Sequence, residues 1–173
     1  RNAFLAAVLG IDLGEIVESR ILPSHLRQKD KDDKLGILDV RVLLNNKEQI
    51  DIEIQVTASE YWAERTLFYL GKMFTDQLKP GEDYQKLEKC IHIGILNFTM
   101  FEDEEYYSCF HFWSDQGRKM YSDKVEIHTL ELPKLAKYEY PETELLKWLQ
   151  FINAETKEEF EMAAEKSEYI KKA

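Results

Sequence analysis

Asp39, Glu53 and Gln55 have the residue types and spacing to do chemistry together. Two strand-like runs, Gly36 to Leu44 and Ile50 to Val56, flank Asn45-Asn46-Lys47-Glu48-Gln49, whose Asn pair tolerates the positive φ that a tight hairpin needs. Side chains alternate faces along a strand. Ile37, Asp39, Arg41 and Leu43 therefore share one face of the first run, and Asp51, Glu53 and Gln55 share one face of the second. Ile50, Ile52, Ile54 and Val56 then point the other way. An odd loop, Asn45 to Lys47, sets Leu44 opposite Glu48 and Asp39 opposite Glu53; an even loop makes the pair diagonal. Directly opposed residues have Cβ atoms about 4.5–5.5 Å apart, close enough for both carboxylates to reach one cation.

Two like charges this close repel unless a cation, a proton or a basic side chain sits between them. Mg²⁺ answers that need. It takes oxygen ligands, keeps several waters and can activate one of them to attack a phosphodiester, while offsetting the charge of the transition state. Gln55, two residues beyond Glu53 on the same face, can orient that water but carries no charge. The plainer alternative is a solvated sheet face in which Arg41 pairs with Asp51 or Glu53.

The elements that must position these residues can be read from period and punctuation. Ile16 to Leu22 carries β-branched residues and stops at Pro23, consistent with a strand that proline closes. Arg27 to Lys34 is a polar run of mixed sign, expected to be an exposed loop. Thr57-Ala58-Ser59-Glu60 matches a capping box, predicting a helix from there to Lys79, before Pro80-Gly81. Within it Trp62, Leu67, Phe68, Leu70, Met73, Phe74 and Leu78 recur at helical intervals, predicting a broad apolar face packed on the hairpin. Cys90 to Phe101, Tyr106 to Trp113 and Val125 to Leu132 read as further strands of a mixed sheet, with Asp115-Gln116-Gly117 as a turn. From Pro141 the pattern is helical again, with Leu145, Leu146, Leu149 and Ile152 on one face and Asn153 as cap of a charged last helix.

Composition bounds the partners. At 173 residues, 44% hydrophobic and 12% aromatic, the chain suits one domain with a buried core. With 23 basic and 33 acidic residues the net charge is −10, the wrong sign for holding nucleic acid by general surface charge, so any DNA contact must be local or metal-bridged. Arg65, Tyr69 and Lys72 fall on one helix face that could reach a phosphate backbone, or simply be solvated. Cys90 and Cys109 make neither a disulfide scaffold nor a paired CxxC zinc site, and read as buried thiols in a reducing compartment, by default the cytoplasm. Cys109, His111, His92 and His128 lack recognised zinc spacing, and core histidines are the simpler reading. No apolar run approaches the roughly 20 residues needed to span a bilayer, so no membrane partner is expected. The chain opens at Arg1 with a helix under way and stops in Lys171-Lys172-Ala173, so it reads as a piece of a longer protein.

The stretches Gly36-Ile37-Leu38-Asp39-Val40-Arg41, Ile50 to Gln55, Arg65 to Lys72 and Gln77 to Tyr84 resemble the PD-(D/E)XK nuclease family transposases, or Rpn recombination-promoting nucleases. Ile93 to Phe98 and Glu126 to Lys134 are similar to that family's following strands. The resemblance covers nearly the whole chain. It implies an α/β fold with a restriction-endonuclease-like core, α-β-β-β-α-β, over residues 1–140, and a C-terminal helical extension of the same domain over 141–173. Asp39 then takes the motif aspartate and Glu53-Ile54-Gln55 the (D/E)XK element. Asp39, Glu53 and the main-chain carbonyl of Ile54 would hold Mg²⁺, with Mn²⁺ as a substitute, in a DNA endonuclease acting in recombination or mobile-element movement. Gln55 departs from the lysine of the wider superfamily, and Lys72 is a candidate replacement for its charge. The family carries an aromatic and basic helix upstream of Arg1, and Glu15 or Glu18 is a candidate third acidic ligand. Two cuts on opposed strands would call for a homodimer. A non-catalytic nucleic-acid-binding or assembly module with the same fold is the alternative.

Overall fold

The computed structural model describes residues 1–26 and 38–172. The polar run at Arg27 to Lys34, and Gly36 and Ile37 at the start of the first hairpin run, lie outside the described residues. In chain order come α1 (Asn2–Leu9), β1 (Ser19–Leu22), β2 (Val40–Leu44), β3 (Glu48–Gln55), α2 (Trp62–Thr75), β4 (Cys90–Leu96), β5 (Tyr107–Trp113), β6 (Met120–Glu131), α3 (Glu144–Ile152) and α4 (Lys157–Glu165). The strands form one mixed sheet in the order β1-β2-β3-β4-β6-β5. The first six elements follow the expected α-β-β-β-α-β order.

The hairpin forms as its residues dictate. Asn45 and Asn46 both take positive φ, at 51° and 59°, and Leu44 pairs with Glu48 across the odd loop. The ladder runs to Val40 opposite Ile52, which sets Arg41 opposite Asp51 and, one step beyond, Asp39 opposite Glu53. β3 then pairs in parallel with β4, aligning Asp51 with His92 and Glu53 with Gly94.

The two faces of the sheet are covered differently. Ile50, Val42, Leu44, Ile91, Ile93, Ile95 and Leu130 pack under α1 and α3, where Phe4 meets Trp148 edge-on at 5.8 Å; Ile170, near the chain end, joins the same core. The cover ends before the tip of β3, so Ile54 and Val56 are exposed. The other face carries α2, whose buried residues are Trp62, Thr66, Leu70 and Met73. Four helical residues advance about 6 Å and two strand residues about 6.6 Å. That near-match lets the stripe run antiparallel along β4, with Trp62 at Gly94, Thr66 at His92, and Leu70 and Met73 in one cluster with Cys90. A side chain at position 94 would meet Trp62 Cζ2 at 2.9 Å, so only glycine lets the ring sit there.

Several expectations are corrected. No capping box forms at Thr57: Thr57 O accepts from Gln55 Nε2 at 2.7 Å, which ties that segment to β3, and α2 starts at Trp62 after Tyr61, without a side-chain cap. The helix stops at Thr75 rather than Lys79, because Gln77 turns back to bond Glu88 N and O. Leu67 and Phe68 lie off the buried stripe and are exposed. α2 packs on the polar face, over β4, and the isoleucine face of the hairpin goes to α1 and α3. Asn153 ends α3, and α4 is capped by Thr156 in a capping box with Glu159. Cys90 is buried, but Cys109 is exposed because β5 is the outer strand of the sheet, beyond the helical cover. No helix among the described residues is long and apolar enough to cross a membrane.

Candidate functional site

At the C-terminal end of β3 the alternation of β-structure and the weight of α2 bring three charged groups and one amide together. Glu53 is 5% exposed, and its Oε1 accepts from Arg65 Nη2. Arg65 Nη2 also donates to Gln55 Oε1 at 2.9 Å, while the guanidinium carbon lies 4.9 Å from the Trp62 ring centroid. Gln55 is therefore held at both ends, by Arg65 and by Thr57 O. Asp39, exposed at the mouth of the site, accepts from Ile54 N at 3.1 Å through Oδ2. The three sequence-derived residues and Ile54 are thus gathered in one place, joined by Arg65, expected on a face that reaches a phosphate backbone or solvent, which instead bonds Glu53 and Gln55.

Deeper under α2, Asp51 and His92 are each 1% exposed and bond through Asp51 Oδ2 and His92 Nδ1 at 2.9 Å. Thr66 Oγ1 lies 3.4 Å from His92 Nε2, and the Trp62 and His92 ring centroids are 5.7 Å apart. Asp51 Oδ1 and Glu53 Oε2 are buried without a hydrogen-bond partner. One ligand atom from each of Asp51, Glu53 and His92 lies within 4.8 Å of the others. Burial is the main reason the Glu53 carboxyl titrates above its ordinary 4.5, assisted by Asp51 and Asp39 and opposed by Arg65 and His92. A buried carboxylate oxygen with no partner, beside further acidic groups, is the donor set a hard divalent cation fits.

Sequence reasoning reads His92 as a core histidine and misses its pairing with Asp51, and it misses Thr66 and the inward turn of Arg65. The signals were present as exceptions to pattern: one histidine inside the otherwise apolar run Cys90 to Leu96, and one threonine in a helical stripe that reads Trp62, Thr66, Leu70, Met73. Their meaning depends on the parallel register of β3 with β4, which spacing does not give. Arg41 reaches neither Asp51 nor Glu53 and instead bonds Gln49 Oε1 at 2.5 Å. Lys72 stands two helical turns from Arg65, about 10 Å along the axis, so Arg65 is the cation at the site. Glu15 and Glu18 sit at the far end of the hairpin, where Glu15 O and Glu18 Oε2 accept from Asn45 and Asn46, and do not approach Glu53.

The remaining cysteine and histidines split between faces. Opposite His92's face, Cys109 Sγ lies 3.8 Å from His111 Nδ1 and 3.9 Å from His128 Nε2, and both histidines reach Glu126, at 2.9 and 3.4 Å. Lys89 Nζ adds a third contact to Glu126 at 2.8 Å. Burial alone would raise the Glu126 carboxyl, but hydrogen bonds from His128, Lys89 and His111 outweigh it and lower its pKa from 4.5 to about 2. A depressed carboxyl stabilises the fold above its unfolded value, and the contribution is lost as pH falls from 4.5 toward 2. Glu126→Gln is expected to cost on the order of 3 kcal/mol at neutral pH. In urea unfolding the gap to wild type closes as the solution approaches pH 2; a gap constant across that range would refute the assignment.

Comparison with curated proteins and with solved structures finds no match. A family model described as PD-(D/E)XK nuclease family transposase matches residues 2–173, essentially the whole chain, in agreement with the mixed sheet and its element order. The chain belongs to the PD-(D/E)XK nuclease family transposases.

Proposed function

We propose that the chain is a divalent-metal-dependent DNA endonuclease that hydrolyses phosphodiester bonds in recombination or mobile-element movement. The observation that carries this reading is the meeting of Asp39, Glu53 and Arg65 at the open end of β3, two carboxylates and one guanidinium on a single spot. Asp39, Glu53 and the main-chain carbonyl of Ile54 would hold Mg²⁺, or Mn²⁺ in its place. When bound, that ion supplies a lowered water pKa and charge for the transition state. The other tasks fall to the protein. Ile54 N fixes the Asp39 carboxylate, and Gln55 steadies Arg65, whose planar donors suit a phosphate oxygen. Arg65 thereby supplies the positive charge that Gln55 lacks, on a protein whose net charge of −10 offers DNA little elsewhere. On this reading residues 1–140 are the nuclease-like core and 141–173 its helical extension, and a homodimer serves two cuts on opposed strands.

A second reading has its own support. The Glu53–Arg65 pair and the doubly tied Gln55 also describe a satisfied, inactive site, as in a non-catalytic nucleic-acid-binding or assembly module. Supercoiled plasmid separates the two. Nicking with Mg²⁺ or Mn²⁺ that EDTA removes is expected; DNA retention with no nicking under any divalent ion would favour the module.

A further inference from the structure

We propose that Asp51, Glu53 and His92 form an inner cation site that takes a first-row transition dication, such as Mn²⁺, Co²⁺ or Zn²⁺, in preference to Mg²⁺. The inference deepens the nuclease reading in that it shares Glu53 with it, but it rests on different residues.

Charge comes first. Asp51 and Glu53 bring two carboxylates beneath α2, and one guanidinium, Arg65, reaches Glu53. The second negative charge needs a proton on His92 or a cation. A proton on His92 serves Asp51 Oδ2, which already has that contact at 2.9 Å, and leaves Asp51 Oδ1 and Glu53 Oε2 buried without partners. Unpaired buried oxygens are costly. A cation among the three side chains answers both, and their ligand atoms lie within 4.8 Å of one another.

The chemistry of the donors selects the ion. Mg²⁺ prefers oxygen and gives up its waters reluctantly, so an imidazole under a helix suits it poorly. Imidazole with two carboxylates suits the later first-row dications. Thr66, 3.4 Å from His92 Nε2, and the Trp62 ring hold the imidazole in the site, which is the outer-shell support that metal histidines use. The ion would tie β3 to β4 beneath α2 and fix Glu53, on which the outer site also depends.

Pulsed EPR of the Mn²⁺-loaded chain is expected to show nitrogen coupling from a bound imidazole, lost in His92→Gln. Co²⁺ binding, followed by its visible spectrum, should weaken about tenfold or more in both His92→Gln and Asp51→Asn. Mn²⁺ bound without nitrogen coupling, or coupling that persists in His92→Gln, overturns the proposal. The wild-type EPR measurement decides even if the His92 variant does not fold. Plasmid left uncut by a chain with imidazole-bound Mn²⁺ would defeat the nuclease reading and leave this site standing. Mg²⁺-dependent nicking without any imidazole-bound ion would do the reverse.

Discussion

Glu53→Gln is expected to lower plasmid cleavage by at least about 10²–10³-fold while leaving the fold at least as stable as wild type. The two halves of this result come from the same burial. Glu53 is held at 5% exposure with one oxygen unpartnered, and its carboxyl is pushed above 4.5 chiefly by that burial. The sign follows directly. Between 4.5 and the raised value the folded chain keeps a proton that the unfolded chain has lost, so stability falls as pH rises through that window. Above it, ionised Glu53 weighs against the fold, and a neutral isostere removes the cost. Arg65 loses its charge partner but keeps Gln55 Oε1 and the Trp62 ring. Thermal unfolding of the variant at neutral pH should therefore match or exceed wild type as cleavage disappears. A carboxylate retained at a cost to stability is a signature of function. A clear fall in the melting midpoint would instead make Glu53 a structural partner of Arg65 and favour the satisfied, inactive site of the second reading.

The hairpin is legible in the sequence because its information is local. Asn45 and Asn46 accept positive φ, period 2 assigns faces, and an odd loop makes Asp39 and Glu53 neighbours. The strands β4, β5 and β6 are legible as apolar or alternating runs, but their order is not, since β6 inserts between β4 and β5. What escapes the sequence is whatever depends on a parallel pairing or on a helix crossing a sheet. Asp51 finds His92 through the β3–β4 register, and Arg65 finds Glu53 because Trp62 seats on Gly94. The start of α2 misleads for a related reason: Thr57 and Glu60 have the letters of a capping box, but the carbonyl of Thr57 is claimed by Gln55. The resemblance to a nuclease family reached Asp39, Glu53, Ile54 and Gln55 through motif order, and it carried no information about Arg65's inward turn.

Lys134→Met should cost about 3–5 kcal/mol, the largest single loss of stability expected outside the apolar core. Lys134 is 1% exposed, yet its Nζ meets Asp103 Oδ1, Glu131 Oε2 and Glu105 O, each at 2.9 Å. Burial works against its charge, but the bonds to Asp103 and Glu131 outweigh that and raise its pKa. Glu131, also 1% exposed, accepts from Met100 N and Phe101 N through its other oxygen. The pair thus pins the segment after β4 to the end of β6. Removing the lysine leaves a buried carboxylate whose compensation is two main-chain donors, and an uncompensated buried charge costs more than the intact pair contributes. Urea unfolding should place the loss in the midpoint with an unchanged slope. Lys134→Met combined with Glu131→Gln should recover a large part of it, since the neutral amide can still accept from Met100 N and Phe101 N. A single variant within about 1 kcal/mol of wild type, or a double variant no better than the single, would show that the segment is held by its apolar contacts instead. The segment begins at Asn97, whose N–H donates to Gln55 O at 2.9 Å, so its loosening bears on the same strand end that carries Glu53 and Asp39.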